Sequence, residues 1–254
     1  MLIEHGKTKF DTYYIVMSLE GEASSYLKMK FKNNYAHNKI ISLCMQTLDW
    51  LASMHSTGYL HCDVKPENVL YQAPLEDSCQ CDEKGFGRFT LIDYGISKPY
   101  IDENGDHIKK HEVDDFEGTA EFISTDLLNK TCKYLIMLIY LLDPSRKHDL
   151  ESLLYTLIFL LKWEAPYGQL DSAYATENMR VYHQVMNRKK YIKLAQREGI
   201  SLGEYLLSER LHISNEITTM EHISTVNHSL IEFADYILNL DYYDAPDYEF
   251  LHQW

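Results

Sequence analysis

The sequence predicts an α+β protein, with a small β-rich start and a large helical body. Three observations lead there. Residues 12–19, TYYIVMSL, are β-branched and aromatic, the composition of a strand. Residues 149–161, DLESLLYTLIFLL, are apolar nearly all round after an acidic start, which is the pattern of a helix buried on most sides. Residues 171–254 carry apolar positions at helical spacing in several stretches, with no internal repeat and no low-complexity linker. A chain of 254 residues, 45% of them apolar, has material for one large domain or two modest ones with ample core.

Taken in order, a first strand over about residues 1–5 pairs with the strand at 12–19, and Gly6 marks the turn. Two amphipathic helices follow, over about 24–32 and 38–57. In the second, Ile40, Ile41, Leu43, Cys44, Leu48, Leu51, Ala52 and Met54 make one broad apolar face, and Gly58 stops the helix. Short apolar pieces at 59–60 and 69–71 flank a polar loop. A stretch rich in Asp, Glu and Gly runs to 88. FTLID, 89–93, is a further short strand that ends at Gly95, and residues 97–121 are polar and irregular, with a loop at Asn104-Gly105. YLIMLIYLL, 134–142, is the most hydrophobic run. Its helical length would be only about 14 Å against roughly 30 Å of hydrocarbon, so it reads as a buried segment or an insertion and not a membrane span.

The net charge of −14 argues against bulk attraction to nucleic acid or an anionic membrane. The odd set Cys44, Cys62, Cys79, Cys81 and Cys132 forms no spaced framework, which suits reduced thiols in a cytoplasmic or nuclear protein. Cys79 and Cys81 lack two further ligands nearby for a metal. The start, MLIEHGKTKF, has no apolar core of a secretory signal. The abundance of tyrosine has no explanation here beyond core and surface packing.

The chemistry concentrates in GYLHCDVKPENVLY, 58–71. Helix or strand periodicity does not account for His61, Asp63, Lys65 and Asn68 so close together. An Asp between strands can accept a proton from a substrate hydroxyl. A Lys two residues on can neutralise a transferring phosphate, and the Asn carbonyl can ligate Mg²⁺. Asp93, before a glycine-containing turn, can bridge that metal to nucleotide phosphates. Phosphoryl transfer needs positioning and charge neutralisation more than covalent help. The run from His61 to Asn68, followed by Asp93-Tyr94-Gly95, has the spacing of a kinase catalytic loop and metal-binding triplet.

The chain resembles casein kinase 1 and the neighbouring vaccinia-related kinases over about residues 2–252. IDYGISKPY, 92–100, is similar to the family's segment after the metal-binding Asp, and FEGTAEFIS, 116–124, to its activation-segment end. SRKHDLESLLYTLIFLL, 145–161, resembles its buried helix and the basic turn before it. APYGQL, 165–170, and FADYILNLDYYDAPDYEFL, 233–251, resemble its last landmarks. The resemblance implies a protein-kinase-like fold. Residues 1–21 would be a remnant of the β-rich small lobe and hinge, and 22–254 the helical large lobe, with an insertion at 132–142.

It also implies a protein serine/threonine kinase that uses ATP and Mg²⁺ on protein substrates, as a monomer, with no nucleic-acid or membrane partner. Asp63 would be the catalytic base, Lys65 would contact the γ-phosphate, and Asn68 and Asp93 would hold Mg²⁺. His61 reads as structural. Asp149 would brace the catalytic loop, and it also suits a helix N-terminus. Met17 falls at the gatekeeper, Leu19 and Glu20 at the hinge that bonds adenine, and Leu70 at the pocket floor; Met17 and Leu70 are also plain core on this reading. Arg146, Lys147, Lys189 and Lys190 resemble basic positions that bind an anion or a prephosphorylated substrate, or they form a solvated basic face.

Some family features are missing. The chain has no glycine-rich phosphate loop and no Val-Ala-Ile-Lys-type lysine, which suggests an N-terminally truncated record or a catalytically impaired pseudokinase that acts as a scaffold. Cys62 replaces the loop arginine, Tyr94 a Phe, and Glu117 a basic residue. Residues 132–142, CKYLIMLIYLL, would be a packing element or an artefact such as a retained short intron.

Overall fold

The computed structural model describes residues 2–26, 35–73, 87–113, 118–124, 141–162, 177–208 and 220–253. Strands β1 (Leu2–Lys7) and β2 (Tyr13–Met17) form the expected antiparallel hairpin as a two-stranded sheet. Gly6 is not its turn: it pairs with Tyr14 inside the ladder. The chain reverses over residues 8–12, where the Thr8 hydroxyl accepts from the amides of Phe10 and Thr12 at 3.3 Å each. Asp11 takes a φ of 66°, a left-handed conformation that aspartate tolerates.

β3 (Glu22–Ala23) leads into a 3-10 turn at Ser24–Tyr26, where the first helix was expected; residues 27–32 of that expectation lie outside the described residues. Helix α1 (Tyr35–Ser56) buries Ile40, Leu43, Cys44, Leu48 and Leu51, the face predicted from its spacing. Burial pushes the Cys44 thiol up to about 12, so it is an inert apolar filler. Gly58 ends the helix with a φ of 86°, its amide donating to the His55 carbonyl at 3.0 Å. An added Cβ there would overlap the Ile101 side chain.

β4 (Tyr59–Leu60) pairs with β7 (Lys98–Pro99). β5 (Val69–Gln72) is the centre of an antiparallel sheet ordered β3-β5-β6, with β6 spanning Arg88–Leu91. The loop of residues 61–68 therefore hangs between two small sheets. β6 stops short of the predicted Asp93. The Ile92 amide still donates to the Asn68 carbonyl at 2.9 Å, but Asp93 has a φ of 66° and turns the chain away. β8 (Glu112–Val113) pairs with β9 (Leu141–Leu142), so the last two residues of the expected insertion form a strand. Residues 132–140, with Cys79, Cys81, Glu117 and the 165–170 landmark, lie outside the described residues.

Helix α2 (Arg146–Lys162) begins before the predicted 149 and is the spine of the body. Leu150, Leu153, Leu154, Tyr155, Leu157, Ile158 and Leu160 are all buried. Around it lie α3 (Glu177–Glu198), α4 (Leu202–Ser208), α5 (Met220–Leu238) and the short α6 (Tyr248–Leu251). Phe233, Ala234 and Ile237 of α5, Leu206 and Leu207 of α4, and Leu251 of α6 join the same core as α1 and α2. Among the described residues no helix is long and apolar enough to cross a membrane.

Candidate active site

The catalytic-loop candidate is held from below by α2. Asp149, 3% exposed at the helix start, accepts the His61 amide on Oδ2 at 2.7 Å and the Cys62 amide on Oδ1 at 2.8 Å. His55, at the end of α1, donates from Nε2 to Asp149 Oδ2 at 2.9 Å. Burial pushes the Asp149 carboxyl up. The hydrogen bond from His55, with the amide of His61, outweighs it and holds the group below its ordinary 3.8. The brace has work to do, because Cys62 sits at a φ of 69° with a full side chain.

His61 is buried and structural in its contacts. Its Nε2 donates to the Ile92 carbonyl at 2.9 Å, its Nδ1 accepts the Asp63 amide at 3.3 Å, and its ring meets the edge of Tyr94 at 5.3 Å between centroids. The tyrosine hydroxyl in turn donates to the Leu91 carbonyl at 2.9 Å.

The loop's carboxylate is closely surrounded. Asp63 Oδ1 accepts the Thr119 hydroxyl at 2.8 Å, and Oδ2 faces Lys65 Nζ at 2.7 Å and Asn68 Nδ2 at 3.0 Å. Lys65 Nζ also donates to Thr119 Oγ1 at 2.9 Å. These contacts close a ring of Asp63, Lys65 and Thr119. Asn68 adds a bond from Nδ2 to the Asp63 carbonyl at 2.9 Å. The 3-10 turn Pro66–Asn68 is pinned by the Ser24 hydroxyl, which donates to the Pro66 carbonyl at 2.8 Å.

Asp93 is brought beside this loop by pairing, since Val69 lies opposite Leu91 and Asn68 bonds Ile92. Its carboxylate is exposed and accepts only a long 3.4 Å contact from the Gly95 amide among the described residues. Asn68 commits its Nδ2 inward and leaves its Oδ1 without a donor among the described residues. The Asn68 amide oxygen and the Asp93 carboxylate are hard oxygen donors, the type that Mg²⁺ takes.

Thr119 escaped the sequence reading as a site residue, although the Gly-Thr-Ala of 118–120 was quoted there. Its carbonyl accepts the amides of Phe122 and Ile123 at 3.0 Å each, which folds the segment into a turn. The far end of that turn is anchored in the core: the Ser124 and Tyr155 hydroxyls donate to Glu151, and Arg188 Nη1 meets Glu151 Oε1 at 3.1 Å.

The nucleotide-side candidates stand differently. Met17 is 59% exposed, not core, because among the described residues β2 has only β1 as a strand partner. Leu19 is 90% exposed. Glu20 is buried, paired with Arg88 and bonded by the Ser18 hydroxyl. Leu70 is half-buried in β5, opposite Ala23 and Thr90. Of the basic candidates, the Arg146 guanidinium lies 4.9 Å from the centre of the Tyr100 ring, and Lys147 is buried. Only Lys189 and Lys190, on α3, are exposed. The four do not make one solvated basic face.

Residues 3–248 match the protein kinase domain family. A probable casein kinase I homolog of Encephalitozoon cuniculi (strain GB-M1) is 25% identical over 251 residues, covering 99% of this chain and 63% of that protein. A second probable casein kinase I homolog of the same organism is 26% identical over 255 residues, covering 98% of this chain and 67% of the relative. A casein kinase 1-like protein of Oryza sativa subsp. japonica is 30% identical over 167 residues, covering 64% of this chain and 21% of its own length. The chain thus spans only part of the length of the curated relatives it matches. The match over nearly all its residues, with the Asp63 loop and Asp93 at adjoining strand ends, shows that the chain belongs to the protein kinase family, with casein kinase 1-like proteins as its relatives.

Proposed function

We propose that the chain is a protein serine/threonine kinase of casein kinase 1 type that moves the γ-phosphoryl group of ATP to Ser or Thr hydroxyls of protein substrates. The observation that carries this reading is the ring of Asp63, Lys65 and Thr119 with Asn68 beside it. Asp63 Oδ1 already accepts a short aliphatic hydroxyl, that of Thr119, at 2.8 Å. A substrate Ser or Thr presents the same group, so the carboxylate is aimed to orient it and take its proton. Lys65, between that carboxylate and the Thr119 hydroxyl, is placed to balance negative charge on the arriving phosphoryl oxygens. Asn68 and Asp93 would hold Mg²⁺, which would supply further neutralisation of phosphate charge. Arg146, Lys147, Lys189 and Lys190 would contribute to acidic-substrate binding only through the exposed lysines.

The test is Asp63→Asn, assayed on a mixed Ser/Thr peptide pool with a melting curve alongside. Incorporation should fall by roughly 10²–10⁴-fold with little change in melting. A large melting shift without loss of incorporation would make Asp63 a turn residue instead. A second reading is a catalytically impaired scaffold. Absence of incorporation by the unaltered protein at millimolar MgATP would favour it.

A further inference from the structure

The catalytic-loop brace does not stop at Asp149. His55, 2% exposed, spans from α1 to the brace with both ring nitrogens occupied. Nε2 donates to Asp149 Oδ2, and Nδ1 is bonded to the hydroxyl of Tyr248. Tyr248 is the first residue of α6, 193 positions away in the chain. The helix that presents it is itself fixed: Asp247 caps it by accepting the Phe250 amide at 2.8 Å, the Asp247 amide donates to the Tyr236 hydroxyl at 2.7 Å, and Leu251 is fully buried. The backbone of His55 is held as well, since its carbonyl accepts the Tyr100 hydroxyl at 2.7 Å.

We propose that Tyr248 is a positioning residue of the catalytic loop, acting through His55 and Asp149 on the backbone of His61 and Cys62. The physical reason lies at Cys62. A φ of 69° for a residue with a side chain persists only where the surroundings over-determine it, and Asp149 takes part in that by accepting the Cys62 amide at 2.8 Å. An imidazole bonded at one nitrogen can still rotate about its last torsion; bonded at both, it cannot. Tyr248 therefore fixes the donor that orients Asp149, and Asp149 fixes the strained residue that precedes Asp63. The burial that surrounds Tyr248 pushes its phenol up, with the Asp149 charge adding to it, so the hydroxyl stays protonated and available. The proposal rests on Asp63 as the base only for its effect on rate; its effect on the loop backbone stands without that.

Tyr248→Phe removes the hydroxyl and keeps the ring. Amide hydrogen exchange should quicken by roughly five- to tenfold at His61 and Cys62 and stay unchanged at Leu48 and Leu51 in the core of α1. Where the unaltered protein transfers phosphate, kcat should fall by a similar factor with KM for ATP and peptide unchanged. Unchanged exchange at His61 and Cys62, or an equal rise throughout the core, would overturn the proposal. A protein without activity would sink the kinase reading and leave the exchange result to decide this one. Should the variant fail to fold, native-state exchange of the unaltered protein in rising denaturant decides. His61 and Cys62 should open together with Phe250 and Leu251, below the free energy of the α1 core. Opening of the loop amides only with the α1 core would refute the coupling.

Discussion

Asp149 is where burial and charge compete most directly, and the winner can be measured. Its carboxyl is held below 3.8 although it is buried, so the folded form binds the carboxylate more favourably than the unfolded chain does. Its contribution is fully present above the unfolded value and is lost as pH falls through the folded one. Asp149→Ala should therefore cost on the order of 3–5 kcal/mol near neutrality, because it strands the two loop amides and His55. The gap between variant and parent should narrow below about pH 4. Denaturant titrations at a series of pH values check both, and a gap independent of pH would mean that folding does not lower the Asp149 carboxyl. Thr119 offers a second residue-scale test. Thr119→Ser keeps the hydroxyl between Asp63 and Lys65 and should retain peptide phosphorylation. Thr119→Val removes it and should reduce the rate by roughly tenfold or more. Asp63, Lys65, Asn68 and Asp93 stand out as candidates in the sequence because one short loop and one strand end carry them. Thr119 does not, since its bond to Asp63 joins residues 56 apart, and no local pattern encodes such a contact. Met17 was misjudged for a related reason. An apolar residue in a strand signals core only if another layer covers that strand.

Among the elements, the long helices were the easiest to read and the turns the hardest. Helix α1 declared itself through an apolar face that repeats every turn, and α2 through an unbroken apolar run. The β1–β2 turn was misplaced because Gly6 looked like its marker, whereas Thr8 and Asp11 make the reversal with side-chain bonds and a tolerated left-handed residue. Gly58 shows the opposite case, a glycine whose position follows from its backbone. With a φ of 86° and Ile101 packed against the missing Cβ, it lets α1 end and β4 begin directly under the catalytic loop. Gly58→Ala should destabilise by about 1–3 kcal/mol, through left-handed strain and displacement of Ile101. In α2, Leu154→Ala removes a side chain buried in the main core and should cost about 2–5 kcal/mol. Thermal or urea unfolding checks each. A loss below about 0.5 kcal/mol at Gly58 would show that the helix end has slack that the packing does not suggest.

At the scale of the whole molecule, the groups that would bind the nucleotide are unevenly provided. The side that would hold the metal and the reacting hydroxyl is built into the core, through Asp149 below the loop and the β5–β6 pairing beside it. The side that would hold adenine is the more open one among the described residues. The β1–β2 hairpin exposes Ile3, Phe10, Tyr13, Ile15, Met17 and Leu19. These 254 residues supply neither the glycine-rich loop amides nor the lysine that other kinases use on the phosphates. Each such charge-assisted contact is worth roughly 1.5–3 kcal/mol, and two of them together are worth about 10²–10⁴ in affinity. This polypeptide should accordingly bind MgATP well above low-micromolar Kd. What binding it has should run through the metal side, because Asp93 and Asn68 carry oxygens with little or no partner among the described residues. Calorimetry with and without EDTA separates the two contributions. The metal-dependent part should vanish in Asp93→Asn, while any residual adenine binding persists. Low-micromolar affinity for these 254 residues would refute the argument and require another group to take over the phosphates. The exposed Lys7 and Lys9, at the end of the hairpin, would then be the first cations to substitute.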